Sequence, residues 1–292
     1  MDGAEGVAIA REMNDVLAEA IARHPDRFQG FAHLPMREPE AAAEELVRSV
    51  KTLGFRGALI NGMTNDRFLD DGRFEPILAA AQDLDVPIYL HPHLAPQVLR
   101  ELYYSNLPGT AGYVLEAAGW GWHRKRPSHV LRLVLAGTLD RHPRLKLIIG
   151  HMGEGCRPCW RAAIRSRRPM SSTSSRPISR TILEQVWITT SGMFSQPPFL
   201  AALLTFGIDR ILFSVDYPML PMKAVVLFST RWRWRRPIWP SSPTATPIVC
   251  SSSARVHASA APRLNDRLAR AGTAPRRTGH PRRVHYVSAP KS

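Results

Sequence analysis

Cysteine is scarce and poorly placed for cross-linking: the 292 residues hold 3. Cys156 and Cys159 form a lone CxxC and Cys250 stands far away. An odd count argues against a disulfide framework, and one CxxC lacks the second pair that a structural zinc site needs. Long apolar runs are missing too, since no stretch approaches the roughly 18 residues of a membrane span. The opening MDGAEGVAIAREMNDVLAEA does not have the charged, apolar and small-residue succession of a secretory leader. These absences lead to the expectation of a cytoplasmic protein with no membrane partner. No GxGxxG or P-loop follows an apolar run, which removes the common phosphate cradles.

Acidic residues are nearly absent from two segments. Between Met219 and Ser292 there are twelve Arg, two Lys and one acid, Asp266, a balance of +13. Residues 156–175 add five Arg and no acid. The formal net charge is +15, so the rest of the chain carries −3. The basic character is therefore confined to two segments, which also hold every cysteine and Trp160, Trp232, Trp234 and Trp239. The expected organisation is a domain over 1–218, interrupted by atypical sequence at 156–175, followed by an Arg-, Pro-, Ser- and Ala-rich tail over 219–292.

Outside those segments, amphipathic helices alternate with short apolar runs, the pattern of a parallel α/β fold. The runs FQGFAHLP, FRGALING, VPIYLHPH, LKLIIGHMGEG, VWITTSG and DRILFSVDYP predict six strands. EPEAAAEELVRSVKTLG, FEPILAAAQDLD, HVLRLVLAGTLDRHP and PPFLAALLTFG predict helices between them. A barrel or a doubly wound sheet fits this order.

Polar residues at the strand ends carry the chemistry. His91 and His93 follow VPIYL, His151 and Glu154 follow LKLII, and Asp216 follows RILFSV. In a (β/α)8 barrel such ends converge on one mouth. Imidazole and carboxylate there suit a divalent metal with coordination positions left for substrate or water. The plain alternatives are loop or pocket-lining roles for His93 and His123, a helix cap for Glu154, and ordinary core for Trp120, Trp122 and Phe194.

Taken together, YLHPH, AGWGWH, IIGHMGEG, VWITTSGMF and RILFSVDYP resemble the amidohydrolase-related metal-dependent decarboxylases. That group contains the γ-resorcylate, 2,3-dihydroxybenzoate and 5-carboxyvanillate decarboxylases. The resemblance implies a TIM barrel of the metal-dependent hydrolase type and a homo-oligomer. It also implies His91 and Asp216 as metal ligands, and His151 with Glu154 as the catalytic histidine and its carboxylate partner. The implied cofactor is a divalent metal, zinc first and manganese second. The implied substrate is a small aromatic carboxylate whose ring carbon is protonated, with Asp216 the candidate proton donor, as carbon dioxide leaves. Hydrolysis, with Asp216 activating water, is the alternative within the superfamily, and a non-catalytic chain is a third reading.

The departures from that family pattern are specific. Its first strand carries a Glu-x-His pair of further metal ligands, whereas this chain opens beside the helix leading to the third strand. The expectation is an incomplete barrel holding strands three to eight, and six strands leave two edges unpaired. After GHMGEG a helix resembling LPFMLAR is expected where CRPCWRAAI stands. Codons can be chosen for CRPCWRAAI so that reading one base earlier gives LPAMLARCD. The same offset turns STRWRWRRPIWPSSPTATPIVCSS into DALALAPADLAKLAHGNADRLLK, and RKRPS at 124–128 is a weaker third case. We therefore expect 156–175 and the sequence from about 220 onward to be translations of a displaced reading frame, which the encoding DNA tests. The rival reading is a basic arm that binds single-stranded nucleic acid, and the composition weighs against it.

Overall fold

A computed structural model describes residues 3–153 and 178–217, apart from the side chains of 124–126 and 178–180. The expectations for Glu154, for 156–175 and for the tail over 219–292 lie outside the described residues.

Five parallel strands form one sheet in chain order. They are β1 (Ala58–Asn61), β2 (Pro87–His91), β3 (Lys146–Ile149), β4 (Val186–Thr189) and β5 (Ile211–Leu212). Before and between them run α1 (Gly3–Ala22), α2 (Pro39–Lys51), α3 (Glu75–Asp83), α4 (Gln97–Tyr104), α5 (Ala111–Val114), α6 (Gly121–Leu135), α7 (Thr138–Arg141), α8 (Ile178–Gln185) and α9 (Gln196–Phe206). Strands that pair only with sequence neighbours, with helical crossovers between parallel partners, are the order of an α/β barrel wall. Among the described residues, no helix is long and apolar enough to cross a membrane.

The helices carry their own start and stop signals. Pro39 opens α2, Glu40 sits in its first turn, and Arg48 and Lys51 sit in its last, matching the helix dipole. Its buried residues, Ala42, Glu45, Leu46 and Ser49, repeat at helical spacing and so face one way. Gly207, with φ +76, closes α9. Pro127 lies inside α6, where a proline removes one ladder hydrogen bond.

Alternation along the strands separates two faces. Ile60, Ile88, Leu90, Leu147, Ile149, Val186, Ile188 and Ile211 pack with helix residues such as Leu46, Ile77, Leu133 and Phe199 in the main core. On the opposite face Phe31, Leu59, Tyr89, Ile148, Trp187 and Leu212 form a second cluster. The Arg210 guanidinium lies 4.1 Å from the Trp187 ring centroid. This second face corresponds to the barrel interior, and the strand residues that continue it reach the site.

Of the six predicted strands, FQGFAHLP is the one that does not form a named strand. Ala32 makes an isolated parallel bridge with Ala58, and its N–H and carbonyl bond Gly57 O and Leu59 N at 2.8 and 3.1 Å. On the next residue the backbone is taken by a side chain. Asn14 Oδ1 accepts from His33 N–H at 2.9 Å, and Asn14 Nδ2 donates to His33 O at 2.9 Å. The carboxamide thus satisfies the backbone donor and acceptor that a further strand would otherwise take. Its other donor position goes to buried Glu45 at 2.7 Å. Burial pushes the Glu45 carboxyl upward, but Arg48, Asn14 and Ser49 outweigh this and hold it below the usual carboxylate range.

Candidate functional site

The site is built at the carboxyl ends of β2, β3, β4 and β5. His91 ends β2 two residues after Tyr89, and so continues the inner face. Its Nδ1 lies 3.1 Å from Pro92 O. A carbonyl only accepts, so this contact favours the proton on Nδ1. His93 is exposed, with Nδ1 3.3 Å from Leu94 O. Gly62 admits it: φ is +58, and a Cβ there would stand 2.5 Å from His93 Cβ.

Immediately after β3 the chain turns through His151, Met152 and Gly153 with φ of +54, +55 and +69. This left-handed run redirects His151 off the strand; the region is uncommon for methionine and is held there by the surroundings. His151 is buried, and its N–H donates to Ser191 Oγ at 3.4 Å. Ser191 Oγ is itself 2.5 Å from Thr189 Oγ1. Beyond β5, Asp216 also has positive φ, +66.

The structure brings His151 and Asp216 together, Nε2 to Oδ2 at 3.4 Å. Two features hold them there. Thr190 Oγ1 donates to Ser214 O at 2.8 Å and accepts from Ser214 N at 2.9 Å, clamping the end of β5 to that of β4. Gly192 has φ +73, and a Cβ there would lie 2.8 Å from His151 Cδ2 and 3.7 Å from Asp216 Oδ2.

The first turn of α6 joins His91 to His151. The Trp122 ring lies 6.5 Å from that of His91, and the His123 ring 5.9 Å from that of His151, edge to face. His123 Nε2 is 2.8 Å from Ala118 O. The segment preceding α6 is tied to the loop after β2 by buried Glu116, which accepts from Ala95 N at 2.9 Å and from Arg100 Nε at 3.0 Å. The core expectation for the aromatics divides: Phe194 packs against the main core, Trp122 is half-buried, and Trp120 is 49% exposed.

Strand-end logic singles out His91, His151 and Asp216, which the structure places at strand ends with His151 and Asp216 in contact, but it does not reach the residues packed around them. The hydroxyl run TTS followed by Gly192 was the available signal. Glu116 left none, because the Leu115–Gly119 segment that carries it is kinked at Ala117, φ −85 and ψ −127, between helices.

Imidazole and carboxylate are suitable donors for a divalent cation, and a proton on His91 Nδ1 would leave Nε2 for ligation. His91 and Asp216 supply two such donors. Among the described residues no group of three or more His, Cys, Asp or Glu forms a full metal cluster.

Comparison with known proteins agrees with this architecture. The amidohydrolase family model matches residues 2–229. Decarboxylase orsB of Emericella nidulans is 41% identical over 220 residues, covering 74% of this chain and 66% of that protein. The γ-resorcylate decarboxylase of Rhodococcus jostii is 39% identical over 225 residues, covering 73% and 67%. A dihydroxybenzoic acid decarboxylase from Polaromonas sp. JS666, solved with manganese and the inhibitor 2-nitroresorcinol, is 36% identical. It superimposes with a TM-score of 0.71 over 78% of this chain and 70% of that one. The chain spans about two thirds of the length of the curated relatives it matches. With a model match over most of its length, this chain belongs to the amidohydrolase family.

Proposed function

We propose that the site carries out metal-dependent, non-oxidative decarboxylation of a hydroxylated aromatic acid. The observation that carries this is the His151–Asp216 pair, 3.4 Å apart at adjoining strand ends. Relatives named for decarboxylation, at 36–41% identity, favour carbon–carbon cleavage over hydrolysis.

In this reading the bond from ring to carboxylate carbon breaks, its electron pair stays on the ring, and carbon dioxide leaves. One proton passes to the same ring carbon, donated by Asp216. His151, with Nε2 beside Asp216, holds that proton in reach and returns another after turnover, as a positioned acid and base do. Glu154 is the proposed partner that orients the imidazole. His91 and Asp216 would hold a divalent cation, which supplies positive charge to the anionic substrate. Manganese is the first choice, since the Polaromonas structure contains it; the zinc expected from sequence has no corresponding support.

The test is to incubate the full chain with 2,6-dihydroxybenzoate and Mn(II) or Zn(II) in D2O, measuring resorcinol and ring deuterium together with bound metal. Resorcinol carrying one new deuterium is expected with manganese. Bound metal without product from this or other hydroxybenzoates sinks the decarboxylase reading. Exposed apolar residues on and after α4, including Val98, Leu102, Tyr103 and Tyr113, support a homo-oligomer, to be measured by light scattering.

A further inference from the structure

Among the described residues, Trp122 Nε1 is a buried donor with no hydrogen-bond partner. An indole nitrogen can only donate, and buried Trp N–H groups usually find an acceptor. Leaving one unpaired forfeits its hydration with nothing in return, so each such group calls for an explanation.

Location supplies one. Trp122 neighbours His91, with ring centroids 6.5 Å apart, and follows directly on Gly121, the first residue of α6. The chain on either side is fixed: His123 N–H bonds Trp120 O at 3.0 Å, and Glu116 holds the preceding turn to Ala95 and Arg100. The indole is therefore carried on an anchored segment between the His91 and His151 strand ends. His142 Nδ1 is another buried atom with no partner, but His142 precedes β3 and stands at the opposite end of the sheet. That position relates it to no candidate ligand, whereas the Trp122 indole donor stands beside the His91 strand end.

We propose that Trp122 is a substrate-binding residue whose indole N–H donates to an anionic oxygen, carboxylate or phenolate, of the bound aromatic acid. This rests on the decarboxylase reading and adds to it a donor that strand-end reasoning does not reach. A neutral donor contributes binding without changing the charge of the site. It also selects for an oxygen acceptor at that position over an apolar substituent of similar size.

The experiment compares the full-length wild-type chain with Trp122→Phe, loaded with Mn(II) and titrated with 2-nitroresorcinol and with 2,6-dihydroxybenzoate. Loss of one hydrogen bond to a charged group corresponds to roughly tenfold to hundredfold weaker binding. The urea midpoint of the unliganded variant should not fall, because relief of the unpaired donor offsets the packing lost with the smaller ring. If wild type binds neither compound, the decarboxylase reading fails and this proposal with it. If wild type binds and Trp122→Phe binds equally well, only the role of Trp122 is overturned. A fall in unliganded stability with unchanged affinity would mark Nε1 as structural and would also overturn it.

Should Trp122→Phe not fold, the wild-type indole resonance decides, assigned through its proximity to the His91 ring in 15N-labelled protein loaded with diamagnetic Zn(II) in place of Mn(II). A downfield shift of the Nε1 proton at saturating ligand supports the proposal. An unmoved proton at saturation refutes it.

Discussion

Replacing Gly192 by alanine separates the geometry of the site from the stability of the fold. Gly192 has φ +73, and a Cβ there would stand 2.8 Å from His151 Cδ2. An alanine in the left-handed region costs about 1–2 kcal/mol, partly offset by about 0.4–1 kcal/mol from its less flexible unfolded chain. The expected loss of stability is therefore about 1 kcal/mol. The effect on chemistry is larger. Ordinary carbon contact begins near 3.5 Å, so the imidazole must retreat by about 0.7 Å. Asp216 limits the room available, since its Oδ2 already lies 3.4 Å from His151 Nε2. A misplacement approaching 1 Å at a reacting group can cost on the order of a hundredfold in rate. We expect kcat for decarboxylation to fall by about ten- to a hundredfold while urea unfolding shows a variant that remains folded. Wild-type kcat in Gly192→Ala would refute the reasoning, as would a loss of activity no greater than the unfolded fraction.

Other perturbations test the frame around the site. His129 Nε2 accepts from Leu69 N–H at 3.0 Å, and burial pushes its pKa down to about 4, with Asp70 opposing and Arg132 assisting. The unfolded chain binds this proton first, so the contribution is complete above about pH 6.5 and is lost as pH falls to 4, about 3 kcal/mol in all. Urea titrations across that window should show the slope in wild type and most of it gone in His129→Gln; equal slopes contradict the assignment. Pro127→Ala restores a ladder donor inside α6 and should raise stability by up to about 3 kcal/mol, read as a higher urea midpoint. Asn14→Ala strips partners from His33 N–H, His33 O and Glu45 together and should cost about 3 kcal/mol or more; a loss under about 1 kcal/mol would show that water replaces the carboxamide.

The strands were legible because parallel strands are buried on both faces and read as apolar runs between Gly and Pro. VPIYL, LKLII and VWIT appear as β2, β3 and β4 with little displacement. FQGFAHLP reads as a strand in the sequence but forms extended chain with one isolated bridge, because whether a ladder continues depends on what lies on its far side. Here that neighbour is Asn14, a polar residue on the buried face of α1, which helical spacing alone does not connect to His33. The site divides in the same way. His91, His151 and Asp216 stand at strand ends, and strand ends can be counted in a sequence. Thr190, Ser191 and Glu116 act through contacts that span 24, 40 and 21 residues. No local pattern encodes such separations.

Backbone strain connects the two levels. Positive φ at Asn65, Asp66, Asp85 and Asn106 needs little explanation, because short Asn and Asp side chains tolerate that region in turns. Histidine shares part of that tolerance, but Met152 does not, and the two adopt it in succession while both are buried. At about 1–2 kcal/mol per residue, this turn is held by its surroundings and not by local preference. The holding groups are identifiable: Ile149 on β3 is in register with Ile188 on β4, Ser191 Oγ accepts the His151 N–H, and Gly192 gives the imidazole room. Removing the strain would let the chain leave β3 in an ordinary conformation and carry His151 away from Asp216. The strained turn is what converts a residue at the end of a buried strand into one that faces a carboxylate on a strand two places along the sheet.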